Sequence, residues 1–185
     1  MVVPKPEGGN FEKAPCGMQR AVCAKVIDLG IHPGYEGVGF KPKLMIVFEL
    51  EAKMTEGDYA GKRFLVHREY TSSMHEKATF RKHLESWRGR VFDSDAIDAF
   101  CNPSGEGTDV LVGKQATLNI IESASGYPRI DAVMPAMPGE DLVPELEADW
   151  MPEWIAKKIQ EGFPSGPQAN PGGAPMPTDD DAPVF

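Results

Sequence analysis

Only three of the 185 residues are cysteine, and Cys16, Cys23 and Cys101 contain no CxxC pair. An odd, unpaired set of this kind indicates reduced thiols in a reducing compartment and argues against a disulfide framework or a cysteine zinc site. No apolar run reaches the roughly 18 residues that a membrane span needs, and MVVPKPEGGNFEKAP at the start lacks the apolar core of a secretory signal. Neither GxGxxG nor a Walker A phosphate loop occurs, so the common nucleotide cradles are missing. His67, Glu69, His75 and Glu76 do not form HExxH or a paired-carboxylate motif and read as surface and cap residues. Ser72, Ser73 and His75 are close in sequence, but no nucleophile-elbow context surrounds them. These absences leave no catalytic centre, metal site or cofactor to assign, and point to a binding protein.

Charge is plentiful and unevenly placed. The net charge is −9, yet residues 1–90 hold 15 Lys/Arg against 11 Asp/Glu, while residues 91–185 hold 4 against 17. A polyanion is therefore expected to favour the first half, with the second half competing for it or recruiting a partner.

The hydrophobic pattern gives an order of elements. MQRAVCAKVIDL (residues 18–29) reads as a strand, and GIHPGYEGVGFKPK (30–43), with four glycines and two prolines, as a long flexible connection. LMIVFELEAK is the clearest strand, with Ile46, Phe48 and Leu50 on one face and Glu49 and Glu51 on the other. MTEGDYAGK turns into a third strand, RFLVHREYT. The period then changes to helical over His75 to Trp87, with Ser73 and Glu76 as a capping box and Gly89 as the stop. A short helix follows at 95–100 behind Ser94. Two further strands, 115–122 and 129–134, are joined by SASGYP.

Three strands, a helix and two strands is the order of the OB-fold, a five-stranded barrel with its helix between strands 3 and 4. On that expectation residues 1–135 form a mainly β OB-fold domain. Residues 136–163 form an acidic extension with a short amphipathic helix, and residues 164–185 a disordered Pro/Gly linker and acidic tip. The ligand surface of such a barrel lies on strands 2 and 3 and the loops beside them. There the sequence supplies Tyr35, Phe40, Lys41 and Lys43, then Lys62, Arg63, His67, Arg68 and Tyr70, then Tyr127 and Arg129. Aromatics that stack on bases and cations that pair with phosphates are what a single-stranded nucleic acid requires. Alternation puts Arg63 and His67 on one face of strand 3 and Arg68 and Tyr70 on the other, so one pair must face away from the ligand. Phe64, Val66 and Tyr70 share a parity and also suit a core. In the extension, Trp154, Ile155 and Ile159 make an apolar stripe on a helix over 152–161, to be covered by the barrel or by a second copy.

The last nine residues, PTDDDAPVF, resemble the acidic tip of bacterial single-stranded DNA-binding proteins, which closes on Ile-Pro-Phe. Asp179, Asp180, Asp181, Pro183 and Phe185 carry the likeness, with Ala182 in place of the apolar residue and Val184 inserted. The body is similar to a phage family found beside replication and recombination genes. VPKPEGGNFEKAPCG, VIDLG, YTSSMHEKATFRKHLESWRGR and PEWIAKKI carry that likeness, within residues 3–163. The resemblance implies a phage protein in the cytoplasm of an infected bacterium, binding single-stranded DNA without strong sequence preference. It also implies recruitment of replication or recombination proteins through the tip. The acidic second half leaves a protein-only module, acting by DNA mimicry on host factors, as the alternative.

Overall fold

The computed structural model describes residues 12–34, 39–101 and 107–163. Five strands form one antiparallel sheet: β1 (Gly17–Pro33), β2 (Phe40–Lys53), β3 (Arg63–Thr71), β4 (Gln115–Glu122) and β5 (Pro128–Met134). Their spatial order is β3-β2-β1-β4-β5. Helices α1 (Thr79–Arg88) and α2 (Ser94–Cys101) fall between β3 and β4, and α3 (Glu153–Glu161) follows the sheet. The chain is thus mainly β with a few helices, as the pattern of periods indicates.

β1 organises the sheet. Its first residues, Gly17 to Val22, pair with β4, and Ala21 to Pro33 pair with β2. Two register shifts, between Cys23 and Lys25 and between Asp28 and Gly30, bend it, as bulges do. The bending brings the edge strands β3 and β5 close enough for the Arg68 guanidinium to donate to the carbonyls of Ile130 and Asp131. No backbone ladder joins β3 to β5 among the described residues, so the sheet is open and the closed barrel expected from the element order is not formed. The physical reason is local: a side chain, not the β3 backbone, takes the β5 carbonyls at this seam.

The inner face holds the main core. Phe64, Val66 and Tyr70 of β3 alternate into it and meet Phe48 of β2 and Phe80, Leu84 and Trp87 of α1. Spacings of four and three put those three helical residues on one stripe. The Trp87 ring lies 5.4 Å from Phe48, and its Nε1 donates to the Gln115 carbonyl at 2.7 Å. Gly89, at φ +71°, takes the left-handed turn that ends α1.

Three local expectations shift. Within the segment expected as a flexible connection, the described residues 30–33 and 40–43 are strand, because β1 and β2 stay paired through Gly30–Lys43, His32–Lys41 and Pro33–Phe40, forming a β-arm. α1 begins at Thr79 instead of near His75. The Ser73 hydroxyl accepts from the His75 N–H at 3.2 Å, closing a turn of its own, and Ala78 at the cap has no side-chain oxygen to offer. Asp93, not Ser94, caps α2, accepting from the Ala96 N–H at 2.8 Å.

Beneath α1, Tyr70 Oη and His83 Nδ1 lie 3.0 Å apart, so a neutral imidazole accepts the phenol proton. Burial, aided by the nearby Arg68 charge and opposed by Asp131, pushes His83 down to about 4. The folded chain keeps this ring neutral where an unfolded chain takes a proton near pH 6.5. Acidification from 6.5 toward 4 therefore favours unfolding, and the stability is fully present above 6.5. Thermal melts of the wild type and of His83→Gln at pH 7.5 and 5 should show a smaller acid-induced drop in the variant. Equal drops would assign the acid sensitivity elsewhere.

Candidate nucleic-acid interface

The outer face of β1, β2 and β3, where the sequence places Arg63 and His67, is covered by the chain's own residues 136–163. The cover is anchored step by step. Thr117 Oγ1 accepts the Met137 N–H at 2.9 Å. Gln115 holds Leu142 from both sides, donating to its carbonyl at 2.7 Å and accepting its N–H at 3.0 Å. Glu49, which is 1% exposed, accepts the Glu145 N–H at 2.9 Å and the Leu146 N–H at 2.6 Å. Lys25 donates to the carbonyls of Ala148 and Trp150 at 2.7 and 2.9 Å.

Beyond these polar anchors the cover becomes apolar. α3 seats Ile155, fully buried, on Ile27, Leu29, Met45 and Val47, with Leu146, Trp150 and Ile159 packed around the cluster. Of the expected stripe, Ile155 and Ile159 are placed against the sheet, while Trp154 is 47% exposed. Past α3, Phe163 pairs antiparallel with Ile31, its N–H and carbonyl bonded to the Ile31 carbonyl and N–H at 3.0 and 2.6 Å. Gly162 permits this approach, since a Cβ there would sit 2.7 Å from the Leu29 carbonyl oxygen.

This segment is part of the folded unit, not a removable lid. Burying Ile155 and Leu142 is worth about 1.5–3 kcal/mol each, and each hydrogen bond to the Glu49 carboxylate adds roughly 1.5–3 kcal/mol.

The cover decides the fate of the β3 residues. Arg63 is engaged by the Val143 carbonyl at 2.7 Å and by the carboxylates of Glu49 and Glu145, each at 3.4 Å. The His67 ring lies 5.0 Å from that of Trp154. Burial and the Lys158 ammonium, against Glu69, hold this imidazole below its ordinary range, so it carries little charge at neutral pH. On the opposite face, Arg68 spans the β3–β5 seam, and Tyr70, 4% exposed, is core, with no ring face open to a base. Arg63, Arg68 and Tyr70 are thus engaged within the fold, whereas His67 remains exposed beside Trp154.

Exposed aromatic–cation groups survive elsewhere. Glu12 accepts the N–H groups of Thr55 and Glu56 at 2.7 and 3.1 Å, at the turn that joins β2 to β3. Its neighbour Lys13 donates to the Gly126 carbonyl at 2.7 Å, in the turn that joins β4 to β5. Glu12 and Lys13 are adjacent, so this clip ties both turns to one short stretch of chain at one end of the sheet. Each turn presents an exposed tyrosine with a lysine over its ring: Tyr59 with Lys62, and Tyr127 with Lys13, both at 5.7 Å. Tyr59 is 51% exposed and Tyr127 67%. Arg129, also exposed, lies beside the second pair, 3.7 Å from Asp131. Lys62, Tyr127 and Arg129, expected from the sequence to contact a ligand, are exposed. Lys13 and Tyr59 were not legible as site residues, because the Glu12–Lys13 clip is a tertiary contact.

The β1–β2 arm forms a second exposed group at the other end of β1. Phe40 is exposed, with its ring 5.8 Å from that of Phe163. Lys41 is exposed, and Lys43 donates to Thr71 Oγ1 at 3.0 Å. Tyr35 and the tip residues Asp179, Asp180, Asp181, Pro183 and Phe185 lie outside the described residues. Among the described residues no group of three or more His, Cys, Asp or Glu could hold a metal ion, and no helix is long and apolar enough to cross a membrane.

Glu49→Ala should leave the N–H groups of Glu145 and Leu146 and the Arg63 guanidinium without their acceptor, at a cost of roughly 3–5 kcal/mol. Hydrogen exchange should speed up at residues 145–146 and through α3 before it does so in β4. An unchanged melting temperature would show that Glu49 does not anchor the cover. Comparison with protein-family models, with curated proteins and with solved structures gives no match for this chain.

Proposed function

We propose that this chain binds single-stranded DNA, without strong sequence preference, through the end of the sheet where the two lysine–tyrosine pairs meet. That juxtaposition is the observation that carries the reading. Two exposed phenol rings supply stacking surfaces for any base, and Lys13, Lys62 and Arg129 supply phosphate contacts beside them. Phe40, Lys41 and Lys43 on the arm extend the same chemistry to the far end of β1.

The strand order supports an OB-type reading of the fold. β1 sits centrally between β2 and β4, the edges β3 and β5 face each other, and α1 and α2 lie between β3 and β4. The seam at Arg68 distinguishes it from a closed barrel. Within this proposal the protein works on exposed DNA in phage replication or recombination, in the cytoplasm of an infected bacterium. The tip at 179–185 recruits other replication or recombination proteins.

The acidic alternative has one observation in its favour. The covering segment carries seven exposed carboxylates, Glu140, Asp141, Glu145, Glu147, Asp149, Glu153 and Glu161, a surface that resembles a polyanion.

Fluorescence anisotropy with labelled oligo(dT) at two salt concentrations tests the proposal. Affinity should fall as salt rises, and replacing Lys13, Lys62 or Arg129 with Gln should flatten the salt slope by about 0.7 per residue. Tyr127→Ala should cost about 1–3 kcal/mol of binding, one stacked base. Arg63→Gln should leave the slope unchanged. Equal or tighter binding to duplex DNA would defeat the reading. No binding to oligo(dT), together with capture of nucleic-acid-binding proteins, would favour the mimic.

A further inference from the structure

A second site lies away from these turns. Between α1, α2 and the short helical turn Gly107–Leu111 is a cavity of about 500 Å³. Its floor is apolar, built from Leu84, Trp87, Phe100 and Leu111, and among the described residues its charged lining is cationic: Arg88, Arg90 and Lys114. The volume falls within the roughly 300–1,000 Å³ of ligand pockets, and a few polar groups around an apolar floor are their usual lining.

Arg88 makes the site more than a dent in the core. Its guanidinium rests on the Phe92 ring, 4.1 Å from the centroid, and Nη1 is buried without a hydrogen-bond partner among the described residues. A desolvated cationic donor without an acceptor is costly, and an arriving anion removes that cost. The nearby Glu85 carboxylate turns its Oε1 to Arg81 Nε and the Phe92 N–H, both at 2.9 Å, and makes no hydrogen bond to Arg88 Nη1. The fitting ligand is a large apolar side chain with several negative charges beside it.

The sequence contains such a group. We propose that this cavity receives the acidic tip of the same chain, with Phe185 on the apolar floor and Asp179–Asp181 against Arg88, Arg90 and Lys114. Length permits it. Twenty-two residues follow Phe163, which at roughly 3.3–3.6 Å each reach about 70 Å, against a radius of gyration of about 16 Å for a chain this size. The short tether gives the tip a high effective concentration at its own cavity, so weak contacts suffice. The site does not depend on the DNA-binding proposal, since none of its three cations belongs to the turns at Tyr59 and Tyr127. Docking there hides the tip from other proteins while leaving the proposed DNA contacts open.

The test uses the full chain with a photo-crosslinking benzoylphenylalanine in place of Phe185, irradiated at low micromolar concentration. Crosslinks within one chain to α1, α2 or residues 107–115 are expected. Their yield should fall several-fold with Arg90→Glu, an exposed substitution that spares the core, with Asp179, Asp180 and Asp181 changed to Asn, and with rising salt. Ala99→Trp, which fills the cavity, should abolish them, with a thermal melt to confirm folding. Crosslinks that map to the β1–β2 arm, that join two copies and rise with concentration, or that persist in the Arg90→Glu variant would overturn the proposal. Oligo(dT) binding by these variants should match the wild type, which separates a failure here from a failure of the DNA-binding reading.

Discussion

The arrangement depends on one buried carboxylate. Glu49 faces outward from β2, yet the residues that cover it leave it almost no contact with water. A charge in that position is stable only if its oxygens are fully used, and the N–H groups of Glu145 and Leu146 together with Arg63 use them. The requirement runs in both directions. The segment 136–163 needs an acceptor for its backbone as it crosses the sheet, and Glu49 needs donors that only that segment supplies. Once this crossing point is fixed, Lys25 lies under Ala148 and Trp150, and Ile155 meets the second apolar cluster.

The same constraint explains why β2 does not follow the simple two-face pattern. Leu44, Ile46, Phe48 and Leu50 pack inward, while Met45 and Val47 pack outward under α3, so both faces are buried. The uninterrupted run LMIVF already carries that information, because a strand with one wet face would alternate. Charge follows a related logic. The basic excess of the first half is partly neutralised within the fold: Arg20 donates to Glu51 at 2.5 Å and to the Glu140 carbonyl, Arg63 contacts Glu145, and Lys158 pairs with Glu69. A sequence-level asymmetry that suggested competition for a polyanion is thus in part a set of internal contacts.

What was legible in the sequence was local and periodic. RFLVHREYT and QATLNIIE match β3 and β4 residue for residue, and the helix after Pro152 and the stop at Gly89 follow directly from backbone chemistry. The misread portions depended on distant partners. Residues 30–43 looked like loop because of their glycines and prolines, but residues 30–33 pair with 40–43 and Phe163 bridges to Ile31 beside them. Arg63, His67, Arg68 and Tyr70 looked like a ligand surface because composition cannot reveal which face is covered. Parity separated them into two pairs correctly. It did not reveal that a segment 80 residues further on, at Val143, closes one face while the core closes the other.

Electrostatics then constrain where a nucleic acid can lie. The covering segment turns seven exposed carboxylates outward, and its two lysines are paired, Lys158 with Glu69 and Lys157 with Glu161 at 4.0 Å. Repulsion from such a surface is effective over about 8 Å at physiological salt, so a phosphate backbone is disfavoured across the middle of the outer face. The turns around Tyr59 and Tyr127 and the β1–β2 arm expose aromatic rings and cations together, the turns alongside Glu56, Asp58, Glu122 and Asp131. If the proposed DNA binding holds, a strand would engage these ends of the sheet and avoid the covered face that Glu49 anchors.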